Sequence, residues 1–235
     1  MKGLLIMKAN FKSEELNRYF ELLDQHPSLA LPKDAPIKII TDKAIIEEWQ
    51  NTHANGNDDI GVLLQDKYIT IIRDLVEFPD GCISGYNRII NTAALYNGGS
   101  GAVILPIMNK KILLIKIFRH PTRQWSIEIP RGFGEAGLSP EEIAQKEISE
   151  EVGGKIKKVV SLGVIHNNTG LDSSNVSLYL AYLDEVGIPR KAEGITEIIW
   201  VTVNEIEKMI SNGQITDSFT ISAYTRAKLM GLLEL

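Results

Sequence analysis

Gly132–Gly154 reads GFGEAGLSPEEIAQKEISEEVGG, a glycine-rich loop that runs into a short acidic helix. Ser139 is a good helix N-cap, Pro140 suits the first helical position, and Glu142 completes a Ser-x-x-Glu capping box. Gly153 and Gly154 stop the helix, because glycine takes the left-handed conformation of a C-cap without steric cost. Ala144, Ile148 and Val152 recur every four residues and predict the buried stripe. Glu147, Glu150 and Glu151 stand three and four apart, so they project as neighbours.

Three neighbouring carboxylates repel one another. They also lie toward the negative end of the helix dipole, at a cost of about a few tenths of a kcal/mol each. A helix built only for stability would carry lysine there. One reading is a solvated acidic face. The other is a metal site, since a divalent cation such as Mg²⁺ turns the repulsion into ligation by carboxylates and substrate phosphates.

These residues resemble the signature of the Nudix hydrolases, which runs Gly, five residues, Glu, seven residues, Arg-Glu, an aliphatic residue, any residue, Glu-Glu, any residue, Gly. Gly132, Glu147, Ile148, Glu150, Glu151 and Gly153 match it with the spacing intact. Two positions depart: Leu138 stands where the family has its first Glu, and Lys146 where it has Arg. In the family those two often pair, so the departures read as one coupled change.

The bulk properties set wider bounds. The 235 residues allow one large domain, or one domain and a small one, and 44% hydrophobic content supports a full core. The net charge of −5 gives no basic field for nucleic acid. Cys82 is the only cysteine, so no intrachain disulfide can form, which fits a reducing compartment. The apolar run Gly3–Met7 is too short for a signal-peptide core, and no segment approaches the ~18 apolar residues of a membrane helix. The expectation is a soluble cytoplasmic protein without a membrane partner.

The expected boundaries are an N-terminal region at 1–97 and a Nudix domain at 98–235. The N-terminal region divides into a helical extension, 1–58, and a small antiparallel sheet, 59–97. Ser13 is read as capping a helix with Leu16, Tyr19, Phe20 and Leu23 on one face. Ile37–Ile40 reads as a short strand, and Thr41 as the cap of a helix carrying Ile45, Ile46 and Trp49. His26 and His53 lack partner spacing and read as surface residues. Strands are expected at Gly61–Leu64, Tyr68–Val76 and through Tyr86 to Ile90, with a turn at Pro79-Asp80-Gly81. This pattern is similar to the N-terminal sheet of ADP-ribose pyrophosphatase-like Nudix proteins, and the resemblance implies a homodimer built through it.

Gly101–Ile107 and Lys111–Phe118 read as strands joined at Asn109-Lys110. Trp125–Arg131 leads into the acidic motif, and strands follow at Lys157–Ile165, Val176–Leu183 and Ile198–Val203. A helix from Asn204 and another from Thr216 or Asp217 close the chain. The resemblance implies an α/β (α+β) fold: a Nudix-type α/β/α sandwich with a mixed sheet, plus the β-rich dimerisation region and the small helical extension.

It also implies an activity: Mg²⁺-dependent pyrophosphate hydrolysis, with Mn²⁺ as a substitute, on a small-molecule nucleotide. ADP-ribose, cleaved to AMP and ribose 5-phosphate, leads the candidates. Glu147, Glu150 and Glu151, with the Arg131 carbonyl, are the expected metal ligands, and Glu150 and Glu151 count as catalytic. Arg119 and Glu128 match substrate-side positions: arginine pairs well with phosphate, and Glu128 either meets substrate or braces the loop. Alternative readings for Arg119 and His120 are an exposed salt bridge and a structural role. Glu193 matches the general base, with Glu185, Glu197 and Asp172 as competitors. Ser174 stands where some relatives carry an acid. Rival functions are a weak Nudix module that senses nucleotide, and hydrolysis of a sugar nucleotide, NADH or a dinucleoside polyphosphate.

Overall fold

A computed structural model describes residues 2–53, 59–97, 101–135, 137–188 and 194–234. The chain divides into two units, Met1–Tyr96 with Asn168–Ser173, and Asn97–Asn167 with Ser174–Leu235. Among the described residues no helix is long and apolar enough to cross a membrane.

The first unit begins with α1 (Lys2–Gln25), which runs straight through Ser13, so that residue is not its cap. Leu16, Tyr19, Leu22 and Leu23 are buried on this helix, close to the expected face. β1 (Lys38–Ile40) precedes α2 (Lys43–His53). Asp42 rather than Thr41 caps α2, because its carboxylate accepts from the Ala44 and Ile45 N–H groups at 2.9 and 3.2 Å. Ile46 and Gln50 are buried on α2, whereas Ile45 is exposed: one step along a helix turns a side chain by about 100°. β2 (Gly61–Gln65), β3 (Ile69–Glu77) and β4 (Ile83–Asn91) follow, and α3 (Thr92–Asn97) ends the run. β3 is central, pairing antiparallel with β1 and β2 on one side and β4 on the other. The segment Asn168–Ser173 lies beside β4, where the Ile89 N–H donates to the Leu171 carbonyl at 2.8 Å.

The turn at Pro79-Asp80-Gly81 forms as expected, with Gly81 at φ 83°. Beneath the sheet the Tyr19 hydroxyl donates to Asp74 at 2.6 Å, and Arg88 donates to both oxygens of Asp74. His53 is exposed and stacks on Trp49. His26 is not the plain surface residue expected: it is half-buried against the edge of Tyr96, at the turn that ends α1.

The second unit is built on β5 (Ala102–Met108), β6 (Lys111–Arg119), β7 (Gln124–Glu128) and β8 (Arg131–Gly132). Then come α4 (Pro140–Val152), β9 (Lys155–His166), β10 (Asn175–Glu185), β11 (Ile195–Val201), α5 (Val203–Ser211) and α6 (Ser218–Leu229). The strand order is β11-β6-β5-β10-β9, with β7 beside β6 and β8 beside β5. β5 and β10 run parallel and the remaining pairs antiparallel, so the sheet is mixed.

β5 is apolar along its length because both of its faces are covered. Ala102 and Ile104 pack with Ile143, Ala144, Ile148 and Val152 of α4. Val103, Leu105 and Ile107 point the other way, to Ile206 of α5 and Ala223 and Ala227 of α6. This is the expected α/β/α sandwich. Pro106 is tolerated within it: two residues on from Ile104, whose N–H reaches the Pro130 carbonyl at 3.0 Å, it lies where β5 has not yet met β6. Asn109 and Lys110 carry the hairpin turn at φ 50° and 63°.

β9 and β10 extend beyond both expected ends, whereas β11 starts earlier than Ile198 and stops at Val201, and α5 starts earlier than Asn204. Thr202 caps it through a box in which the Thr202 N–H donates to the Glu205 carboxylate at 2.7 Å. Asp217 caps α6.

The α4 cap was readable in full: Glu142 N–H donates to Ser139 Oγ at 3.3 Å, Ser139 N–H donates to Glu142 Oε2 at 2.8 Å, and Gly153 sits at φ 60°. Gly153 has a second constraint, since a Cβ there would come within 3.1 Å of the Gly187 backbone. Gly153→Ala is expected to lower stability by about 1 kcal/mol or more, from the left-handed φ alone; equal urea midpoints for variant and parent would refute this.

Candidate active site

The acidic face of α4 is not a solvated surface. Glu151 is only 2% exposed, and its Oε2 accepts the Arg131 N–H at 3.2 Å. Glu147 is half-buried and lies so close to Gly132 that a Cβ on that glycine would overlap the carboxylate. Gly132 in turn approaches Gly101 so closely that a Cβ on Gly101 would overlap the Gly132 carbonyl. Glycine is required at both positions because backbone and acid occupy the space of a side chain. Two carboxylates of α4 thus converge on the two-residue strand β8, and Glu150 sits half-buried on the same helix.

The donor set fits a hard divalent cation: it is all oxygen, and Glu147 and Glu151 meet at one stretch of backbone. Among the described residues no three His, Cys, Asp or Glu side chains close into a finished ligand group. Glu193 lies outside the described residues. The described ends of its loop are both tied down: Gly187 N–H donates to the Val152 carbonyl at 2.9 Å, and Phe118 N–H donates to the Gly194 carbonyl at 3.3 Å. Of its competitors, Glu185 ends β10 and Glu197 lies on β11, both exposed, and Asp172 belongs to the first unit.

Beside the acids sits a charge network. Glu128 is 1% exposed and its Oε1 accepts from Arg119 Nε at 3.0 Å, and also from Arg119 Nη2. Arg131 Nε is 3.2 Å from the same oxygen, and Arg131 Nη1 is 3.4 Å from Asp217. Arg119 is thus not an exposed strand-end salt bridge; its anchor is buried. Glu128 has the geometry of a brace. His120 meets Arg123 at 2.9 Å.

Sequence reading did not find Asp217 as a partner of Arg131, since 86 residues separate them and Asp217 read only as a cap. Nor did it find Glu135, which pairs with Lys146. That contact raises the Lys146 ammonium above its usual value, chiefly through the hydrogen bond that it donates to Glu135. Leu138 packs with the α4-side core instead of supplying a carboxylate. Where the family often pairs positions 138 and 146, Lys146 here pairs with Glu135 instead.

A layered α/β/α sheet that carries this loop-helix and its acids defines a Nudix-type hydrolase. The sequence profile of the NUDIX domain matches residues 99–219, and the chain belongs to that family. It is 25% identical over 177 residues to an ADP-ribose pyrophosphatase of Bacillus subtilis (strain 168), covering 73% of this chain and 91% of that protein. It is 27% identical over 138 residues to an ADP-ribose pyrophosphatase of Saccharomyces cerevisiae (strain ATCC 204508 / S288c), covering 56% and 59%. The crystal structure of an ADP compounds hydrolase shares the fold, with a TM-score of 0.61 and 19% identity, covering 73% of this chain and 92% of that one. The resemblance to the ADP-ribose pyrophosphatase-like branch therefore holds.

The network has a pH signature. Burial alone would raise the Glu128 carboxyl, but the Arg119 hydrogen bond and the charges of Arg131 and Arg119 outweigh it and hold the group below its usual range. A depressed carboxyl stabilises the fold above its unfolded pKa, and that contribution is lost as pH falls through the folded value. Glu128→Gln is expected to cost about 3 kcal/mol at neutral pH, because it strips a buried pair of one partner. The difference from the parent should shrink as pH falls below the usual glutamate range. A pH-independent gap in urea unfolding would exclude the charge as the cause.

Proposed function

We propose that this protein hydrolyses the pyrophosphate bond of a nucleoside diphosphate linked to a second moiety, with ADP-ribose as substrate and AMP and ribose 5-phosphate as products. The observation that carries the reading is the turning of Glu147 and Glu151 inward onto β8. A solvated acidic face would leave them in water. Two relatives named ADP-ribose pyrophosphatase support the choice of substrate.

In this reading Glu147, Glu150, Glu151 and the Arg131 carbonyl hold Mg²⁺, with Mn²⁺ as a substitute. When bound, the ion neutralises diphosphate charge and lowers the pKa of a water molecule. Glu151 keeps its orientation through the Arg131 N–H. Arg119, held by Glu128 and 28% exposed, presents its outward side to a phosphate oxygen. Because Glu128 fixes it beforehand, little rotamer entropy is lost when phosphate arrives. Glu193 serves as the base that orients or deprotonates water; the tethered ends of its loop, on Val152 and Phe118, support that assignment.

We also read the first unit as the surface that pairs two copies of the chain in a cytoplasmic homodimer. Exposed Ile83 and Tyr86 on β4, with Leu171 on the adjoining segment, support it. Light scattering is expected to give twice the 26.1 kDa chain mass; a monomer at micromolar concentration would discard the dimer.

The decisive assay measures AMP release from ADP-ribose beside NADH, sugar nucleotides and diadenosine polyphosphates, with Mg²⁺, with Mn²⁺ and with chelator. Cleavage of ADP-ribose should require the metal. Glu151→Gln should reduce it by more than the roughly 100-fold typical of outer-shell partners of a metal site. Cleavage that survives chelation, or an unimpaired Glu151→Gln, would sink the mechanism.

A further inference from the structure

The N-terminus of α6 reaches the acidic site through one side chain. Arg131 places its Nε 3.2 Å from Glu128 and its Nη1 3.4 Å from Asp217 Oδ1, and its guanidinium lies over the Phe219 ring at 4.7 Å. The backbone N–H of the same residue donates to Glu151 Oε2. Arg131 therefore joins the first turn of α6 to a carboxylate of α4.

Asp217 has divided duties. Its Oδ2 accepts from the Thr220 N–H and from the Thr220 hydroxyl, both at 2.8 Å. Thr220 Oγ1 in turn accepts the Ile129 N–H at 3.1 Å. Capping α6 uses Oδ2 alone, and serine or asparagine would serve that purpose as well. Oδ1 is turned instead to Arg131, and the Asp217 side chain is only 9% exposed. An aspartate kept largely out of water, with its second oxygen on a guanidinium, is more than a cap needs.

Residues 129–131 are thereby held at two groups: the Ile129 N–H on Thr220, and the Arg131 guanidinium, which meets both Asp217 and the Phe219 ring. The segment so held is the one that orients Glu151. We propose that Asp217 is a positioning residue of the acidic site, which acts through Arg131 to set the orientation of the Glu151 carboxylate. This inference rests on the reading that the α4 glutamates bind a divalent cation. It assigns to α6 a part in metal affinity that the acidic motif does not contain.

The test is a double-mutant cycle on the full-length protein with Asp217→Asn, Arg131→Gln and the pair. Mn²⁺ affinity is followed by the loss of the free-ion electron paramagnetic resonance signal. Metal-free unfolding midpoints and ADP-ribose turnover are recorded alongside. Asparagine keeps an oxygen for the cap and removes the charge facing Arg131. The expected result is Mn²⁺ binding roughly 10-fold weaker in each single variant, as for other outer-shell partners of metal ligands. The double variant should be no weaker than the weaker single one, because both changes break one linkage.

A folded Asp217→Asn protein that binds Mn²⁺ like the parent would overturn the proposal, whatever its unfolding midpoint, since a purely structural role moves only the midpoint. Additive losses would overturn it too, because Asp217 would then not act through Arg131. Should Asp217→Asn fail to fold, Arg131→Gln measured alone decides: parental Mn²⁺ affinity overturns the linkage, and a loss of about 10-fold upholds it. A parent that binds no Mn²⁺ would remove the metal reading and this inference together. A parent that binds Mn²⁺ but cleaves none of the nucleotides would remove only the assigned hydrolysis, and the cycle would still decide the role of Asp217.

Discussion

Glu128 Oε1, a single carboxylate oxygen shut away from water, meets two arginines at once. A buried carboxylate is tolerable only when it is paired, and removing a partner from such a pair typically costs about 3–5 kcal/mol. Its burial at the end of β7 therefore obliges Arg119, at the end of β6, and Arg131, at the start of β8, to come to the same point. Three strand ends are fixed by that requirement. From Arg131 the constraint passes along the backbone to Glu151 and through the guanidinium to Asp217.

The sheet supplies the frame for this cluster. β5 pairs with β8 through Ala102 and Val103, and sends alternate side chains to α4 on one face and to α5 and α6 on the other. Close approach at Gly101 and Gly132 leaves no room for a Cβ and that at Gly153 is tight, so the acidic helix is set against the backbone with little slack. A carboxylate meant to meet a cation benefits from such rigidity, because its orientation is settled before the ion arrives. The pairing of Lys146 with Glu135 fits the same pattern: the loop before α4 is pinned to the helix even though Leu138 has joined the core.

Local signals were read correctly where a few neighbouring residues decide the outcome. The Ser139 capping box, the left-handed Gly153, the Asn109-Lys110 turn and the Pro79-Asp80-Gly81 turn all depend on contacts within about five residues. They erred where two local options compete at similar cost. Thr41 and Asp42 are both good caps, and it is Asp42 whose carboxylate accepts the first free N–H groups of α2. Ser13 could begin a helix, yet α1 continues through it. Thr202 and Glu205 form a box whose signal was present in the chain but lay under the expected end of β11. The acids of α4 were found because their spacing is helical, whereas the partners that orient and brace the site come from other elements.

The chain by itself determined that an acidic helix with fixed ends follows a glycine loop, that three glutamates share its face, and that apolar strands on both sides of the motif form a covered sheet. These follow from helical and strand periodicity, which any short window of sequence displays. Only the tertiary structure decided that Glu128 is a buried brace, that Glu135 replaces the missing partner of Lys146, and that Asp217 closes on Arg131. Those pairings join residues brought together by sheet topology. The charge of one member says nothing about which distant opposite charge will neutralise it, and the cost of burying an unpaired charge makes the choice only once the fold has gathered the candidates.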